Sequence, residues 1–494
     1  MPAVFRRTEG AALEEGHLFR TAHPAALAVR AALPLLVTAA LLAPVSAHAA
    51  AYHVHARTES QAYQLRAWRG GGPDDPVLLP RRRIVQYLGL DAFELVTGQD
   101  LGFESNLRVY SDFGLPRGEA EKLDGLHSED VDLLYAHVRF RKGGFDAKAG
   151  RQLFIDIGEI FNFDGVRARY VHSAGIGAEA YAGLWVKGAS LLGSATHALD
   201  GTREPNASRY ESPFGVDILL EEQARVEPVF GARLLAENTL GSGIGGSVGY
   251  RRSMISGNVT SERLGAEVEY GKGRGINVMT GLEYDLVLGR VSTARALGRY
   301  DADLWAAQLE ALRFAPTFSA YSIWYYFANA PRDEVRLRGD YYPVGPLRYY
   351  AQVLYSHHRE NMKEETGSSA FLSEASTPVQ LGAGGGAQLL VRRFRSGLDL
   401  TWRNGYGGRQ LWVDLTTGYS AEGGLWTVDA RGSIASVRDA FNPLLQGNFY
   451  GAQLWGSYQL TRAARASLVL EQNVNPFTRS DTKVFFVFDL KAVL

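Results

Sequence analysis

Histidines and carboxylates are the first side chains to test for catalysis or metal binding. His53 and His55 stand two apart on a candidate strand, and His357 and His358 adjoin one another beside Glu360 in a loop. Imidazole pairs can ligate metals or shuttle protons, but exposed histidines in a loop more often do neither. A rim hydrolase would need a nucleophile motif such as G-x-S-x-G beside His357 or His358, and the segment around these histidines carries none. The run Gly241-Ser242-Gly243-Ile244-Gly245-Gly246 matches the dinucleotide fingerprint G-x-G-x-x-G. It precedes the strand-like Ser247 to Met254 rather than a helix, so it reads as a tight turn and a small-residue strand start. With 0 Cys there is no disulfide scaffold, thiolate site, cysteine nucleophile or lipidated cysteine anchor. The expectation is no catalytic residue, no metal and no cofactor.

The charges tell more. Lys plus Arg (52) nearly cancels Asp plus Glu (53), which removes the global field that a nucleic-acid binder would carry. Along the chain, however, the charges alternate with apolar residues. Leu264, Ala266, Val268 and Tyr270 stand against Glu267 and Glu269; Leu398, Leu400 and Trp402 against Asp399 and Arg403; Trp426, Val428 and Ala430 against Arg431. If the apolar face meets lipid, then Arg139, Arg141, Arg167, Arg169, Arg251, Arg336, Arg338, Arg348, Arg403 and Arg431 line a polar lumen together with Glu267, Glu269 and Asp399. Such charges either pair across neighbouring strands and stiffen the wall or form an arginine ladder that draws anionic solutes.

The elements that must position these residues are strands. Runs of about ten residues with a period of two recur from about residue 130 onward, separated by Gly, Asn, Asp and Pro. The chain contains 55 Gly, 24 Tyr and 23 Phe, a strand-and-turn composition. After residue 49 no window holds 18 consecutive apolar residues, so a membrane-held mature chain would cross with strands in a closed barrel. Aromatic residues gather at run ends, as at Tyr321 to Phe327, Tyr341 with Tyr342 and Tyr349 with Tyr350, where interfacial girdles sit. These features predict an all-β fold, a single antiparallel transmembrane β-barrel of about 18 strands (16 to 20) with an aqueous lumen. The last run, Val484 to Leu490, is the expected closing strand. Long loops are expected at His197 to Pro228, Gly114 to Glu129 and His357 to Pro378. Val216 to Val226 reads as either a strand or a short helix folded into the lumen, and Gly70 to Arg83 as a loop or plug element.

Ala31 to Val45 is a short apolar run preceded by Arg30 and followed by Ala47-His48-Ala49, the pattern of a cleaved secretory signal. Residues 1–49 are therefore expected to be a signal peptide and 50–494 the barrel, and the expected address is the outer membrane.

Gly150-Arg151-Gln152, followed by Phe163-Asp164-Gly165-Val166-Arg167-Ala168-Arg169-Tyr170, resembles a strand pair of alginate-export-type outer-membrane porins and related myxobacterial exopolysaccharide exporters. That resemblance covers about twenty residues. It implies a roughly 18-stranded barrel with an Arg-lined pore for polysaccharide, served by a periplasmic or inner-membrane export apparatus. Read from the residues alone, Gly150 permits a tight turn, Arg151 and Gln152 can donate at the rim, and Asp164 is either part of a turn or a partner for Arg151. Export of a polysaccharide is thus the leading expectation. A diffusion porin for small sugars or anions is the alternative, and an adhesive barrel acting through its long loops is a third reading.

Overall fold

The computed structural model describes residues 51–68, 76–113, 129–156, 159–186, 210–211, 217–218, 227–255, 257–271, 273, 275–315, 331–359, 378–439, 446–475 and 480–493. Within them the chain runs through β1 (Ala51–Trp68), β2 (Pro76–Phe93), β3 (Asp100–Asp112), β4 (Glu129–Lys142), β5 (Phe145–Asp156), β6 (Glu159–Val171) and β7 (Ile176–Val186). Two short strands, β8 (Tyr210–Glu211) and β9 (Asp217–Ile218), pair only with each other. The main ladder resumes with β10 (Pro228–Ala236), β11 (Ile244–Ile255), β12 (Asn258–Gly271), β13 (Gly275–Asp285), β14 (Arg290–Asp301), β15 (Trp305–Phe314) and β16 (Arg332–Tyr341). It ends with β17 (Leu347–His358), β18 (Val379–Val391), β19 (Phe394–Gly405), β20 (Gly408–Ser420), β21 (Trp426–Asp439), β22 (Gln446–Gln459), β23 (Ala464–Val474) and β24 (Asp481–Val493).

These elements form one 22-stranded antiparallel sheet in which each strand pairs with its neighbour in sequence, with β7 meeting β10 directly. β1 pairs with β24 from His53↔Val493 to Ala62↔Val484, and this contact closes the sheet on itself. Closure leaves no open edge strand, so the paired backbone groups of the wall are satisfied strand to strand without water. The expected barrel is present and β24 is its closing strand, but the strand count is 22 rather than about 18. The difference comes from turns: strand plus connection averages about 20 residues, not the 25 or so assumed from typical loop shares. The stretch before residue 114 supplies three strands of 18, 18 and 13 residues. Pro76 to Arg83, expected as part of a loop or plug, is the first half of β2 and pairs with Tyr63 to Trp68 or Gln61 and Ala62 of β1. The expected signal segment, most of the three long loops and most of Val216 to Val226 lie outside the described residues, while His357 and His358, expected in a loop, end β17.

The period-two pattern sorts the two faces as expected for a membrane wall. Val138, Val166, Leu234, Val248, Val268, Ile276, Leu337, Val353, Leu415 and Ile434 are all exposed although apolar, because they point away from the lumen into the region that lipid fills. Phe145, Tyr170, Tyr300, Trp305, Tyr341, Tyr349, Tyr419 and Trp426 are also exposed and sit where strands meet short turns. Tyr300 packs 5.3 Å from Trp305, and Tyr419 packs 5.2 Å from Trp426. That end of the barrel carries turns such as Gly143–Gly144 and Arg392–Arg393, whereas β3 to β4, β15 to β16 and β17 to β18 connect at the opposite rim across many residues. Short turns mark the periplasmic end and long connections the external one. The described residues contain no helix long and apolar enough to cross a membrane, and the closed, apolar-skinned barrel places this protein in the outer membrane.

Candidate functional site: the lumen wall

Residues directly opposite one another in an antiparallel ladder share a face, so the register assigns the lumen side chains. Arg139 lies opposite Lys148, which lies opposite Arg167, which lies opposite Tyr181. Arg251 and Arg263 continue along β11 and β12. On the far wall Arg336 opposes Glu310 and Arg338 opposes Gln352.

Most of these guanidiniums meet a carboxylate on their own or a nearby strand. Arg139 pairs with Glu104 at 2.7 Å, Arg141 with Asp146 at 2.6 Å and Arg167 with Glu179 at 2.5 Å. Arg169 pairs with Glu237. Arg336 reaches Glu334 at 2.8 Å, Arg338 reaches Asp340 at 2.7 Å and Arg431 reaches Asp414 at 2.8 Å. Arg251 lies over the rings of Phe161 and Trp185, Arg348 over Tyr342 and Arg403 over Trp412. Among the carboxylates, Glu267 accepts from Ser247 at 3.0 Å, Asp399 accepts from Tyr350 at 2.6 Å, and Glu269 lies over Gly245. The lumen is therefore lined by alternating, largely neutralised ion pairs rather than by a column of bare arginines.

The two walls differ in how far water reaches them. On β5, β6, β7 and β10, Phe154, Phe161, Phe163, Tyr181 and Val229 form a buried cluster with Trp185 against it. Phe163 is 0% exposed, and Arg167 and Arg233 stack over the Phe154 ring. These aromatics take the lumen parity, which the alternation rule had reserved for polar residues. The sequence signal for them is a run of apolar residues at the lumen parity, Phe154 on β5 and Phe161 with Phe163 on β6.

On β18 to β22 the lumen face is open. Gln388, Arg395, Thr416, Asp429, Arg431, Gln453 and Trp455 line a depression of about 460 Å³. Trp455 is 48% exposed although its register partners, Asp429 and Val469, place it in the lumen. Arg395 reaches Asp429 at 2.5 Å across the intervening Gly418. The arrangement offers an indole face, amide donors and both charge signs to a passing solute. Trp455 and Arg395 were not singled out from the sequence, although the parity of Gln453 and Ser457 points to the first and that of Asp399 and Arg403 to the second.

The motif residues have a structural place. Gly150, Arg151 and Gln152 lie inside β5, not in a turn, and pair with Gly165, Asp164 and Phe163 of β6. Gly150 adopts φ 122°, and a Cβ there would stand 2.3 Å from the Ala136 carbonyl oxygen; a left-handed conformation and a close approach both require glycine. Arg151 grips Asp164 with two bonds of 2.7 Å and also donates to the Leu133 carbonyl at 3.1 Å. The β4–β5 ladder ends at Ala136↔Arg151, so this guanidinium fastens the wall where two strands part. The histidines are likewise placed within the wall: His55 is hydrogen-bonding distance (3.1 Å) from Asn106, and His358 stacks on Tyr406 at 3.8 Å. The glycine run at Gly241 to Gly246 leads from a one-turn 3-10 segment, Thr239–Gly241, into strand β11 and not into a helix.

No family model and no curated protein matches the chain. Among solved structures, the chain is similar to OccK2 (OpdF) of Pseudomonas aeruginosa in complex with glucuronate, at 10% identity and TM-score 0.40 over 90% of this chain and 98% of that one. The outer membrane protein OpdK of the same organism, also solved with vanillate, gives 9% identity and TM-score 0.38 over 90% and 99%. A BenF-like porin from Pseudomonas fluorescens gives 11% and 0.42 over 90% and 99%. The expected likeness to alginate-export-type porins is corrected: no family model matches the chain, and the wall has 22 strands rather than the roughly 18 which that likeness implied. The two segments that carried that likeness are a strand pair fastened by the Arg151–Asp164 clamp, and the expectation of polysaccharide export loses its support with it.

Proposed function

We propose that this barrel is a diffusion porin for small sugars and small anions. The observation that carries the reading is the open ledge on β18 to β22, where Trp455 stands in the lumen between Gln453, Asp429 and Arg395. An aromatic face flanked by amides and paired ions binds a sugar ring or a small carboxylate weakly at several points, which conduction requires, since a solute must both enter and leave. The remaining lumen ions keep the conduit hydrated without committing it to one charge sign.

Purified protein reconstituted into liposomes tests this. Swelling in isotonic hexoses or small carboxylates, and stepwise current in a planar bilayer, are the expected results. A protein inserted in the bilayer that passes neither current nor sugar would sink the proposal and favour an adhesive barrel. Slower hexose swelling in Trp455→Ala, with unchanged insertion, would locate the path on this wall.

A further inference from the structure

We infer that the external rim of β19 to β22 carries a binding site for the phosphate of an outer-leaflet glycolipid. Asn404 lies opposite Arg409, Arg409 opposite Arg438, and Arg438 opposite Gln446. Four neighbouring strands thus present four donor side chains in one row. Their parity is that of Leu400 and Ile434, which are 45% and 51% exposed on the lipid side, so the row faces outward. It stands four residues beyond those apolar positions, about 13 Å further along the strand, at the rim with the long connections.

Two features ask for an anion there. Arg409 and Arg438 are both exposed and stand in direct cross-strand register, where like charges repel. Among the described residues neither forms an ion pair, in contrast to most of the lumen arginines, such as Arg139, Arg167 and Arg338, which do. The row itself contains no carboxylate. Opposed guanidiniums form a fork pair suited to phosphate oxygens, and Asn404 and Gln446 extend the donors on either side. Because the apolar band lies directly below on the same strands, the ligand that satisfies both surfaces has a phosphate head and acyl chains. A free anion would use only the rim.

The inference rests on the barrel's orientation in the outer membrane and not on what passes through its lumen. Native mass spectrometry of the whole protein in neutral detergent, with bis-phosphorylated lipid A as the probe, tests it. Wild type should retain the lipid, Arg409→Gln with Arg438→Gln should lose it by about tenfold or more, and Arg409→Lys with Arg438→Lys should retain part. Dephosphorylated lipid A should bind wild type no better than it binds the Gln variant. Equal retention of lipid A by the Gln variant would overturn the inference, as would displacement of the lipid by inorganic phosphate at millimolar concentration, which would mark a free-anion site. Heat-modifiable gel migration verifies that each variant is folded. Single-channel conductance, unchanged in the Gln variant because neither residue faces the lumen, separates this result from the porin proposal.

Discussion

Tyr350 on β17 donates a 2.6 Å hydrogen bond to Asp399 on β19 across the strand between them. The bond passes over Gly386 of β18, where a Cβ would stand 2.5 Å from the Tyr350 ring and 2.7 Å from the Asp399 carboxylate. Gly382 and Gly384 give Leu354 and Gln352 of β17 the same clearance. Glycine on the lumen face thus lets side chains of alternate strands meet, and Arg395 and Asp429 repeat the device over Gly418.

Gly386→Val is expected to destabilise the barrel by about 1 to 3 kcal/mol through overpacking. Tyr350→Phe, which leaves the carboxylate without this donor, should cost about 1 kcal/mol. Urea unfolding midpoints in detergent measure both. If Gly386→Val and wild type unfold together, the glycine is not needed for the crossing.

Arg151 is 3% exposed and holds Asp164 through two bonds. Replacement by Ala strands the carboxylate and the Leu133 carbonyl, a loss expected near 3 kcal/mol. Arg151→Lys keeps the charge but only one bond, so its loss should be smaller, about 1 to 2 kcal/mol. A double-mutant cycle with Asp164→Asn should show the two positions strongly coupled; additive effects would argue against the clamp.

On the open wall, Arg395 and Arg431 balance Asp429 and Asp414. Arg395→Gln with Arg431→Gln leaves two carboxylates facing the conduit. The reversal potential in a salt gradient should then shift toward cations, and more at low ionic strength, because these charges are exposed and screened by salt. An unshifted potential would mean that ions do not pass along this wall.

Phe163 has no exposed surface and packs on Phe154, Phe161 and Tyr181, with ring centroids 6.0, 5.9 and 5.6 Å away. Phe163→Ala should cost about 3 to 5 kcal/mol by opening a cavity. The same unfolding assay reads it, and a loss below about 1 kcal/mol would show that the cluster tolerates collapse.

Deleting Asp481–Val493 removes the strand that joins β23 to β1. Two long edges would be left unpaired, so no heat-modifiable, detergent-stable barrel should form.

The alternation of Leu264, Val268 and Tyr270 with Glu267 and Glu269 determined by itself that the chain forms two-faced strands, because side chains on a strand point alternately to opposite faces. With a lipid-facing parity assigned, it also separated the charges of the lumen from the apolar skin. Sequence could not supply the strand number, because Gly143–Gly144 and Arg392–Arg393 each turn the chain in two residues and closure depends on the pairing of β1 with β24, which are more than 400 residues apart. Nor could it tell paired arginines from free ones. Arg167 finds Glu179 and Arg395 finds Asp429 only through cross-strand register. The same register sets Arg409 against Arg438 with no carboxylate between them. Parity is local and legible in a single strand, whereas partnership is set by which strands lie side by side, and only the closed tertiary structure decides that.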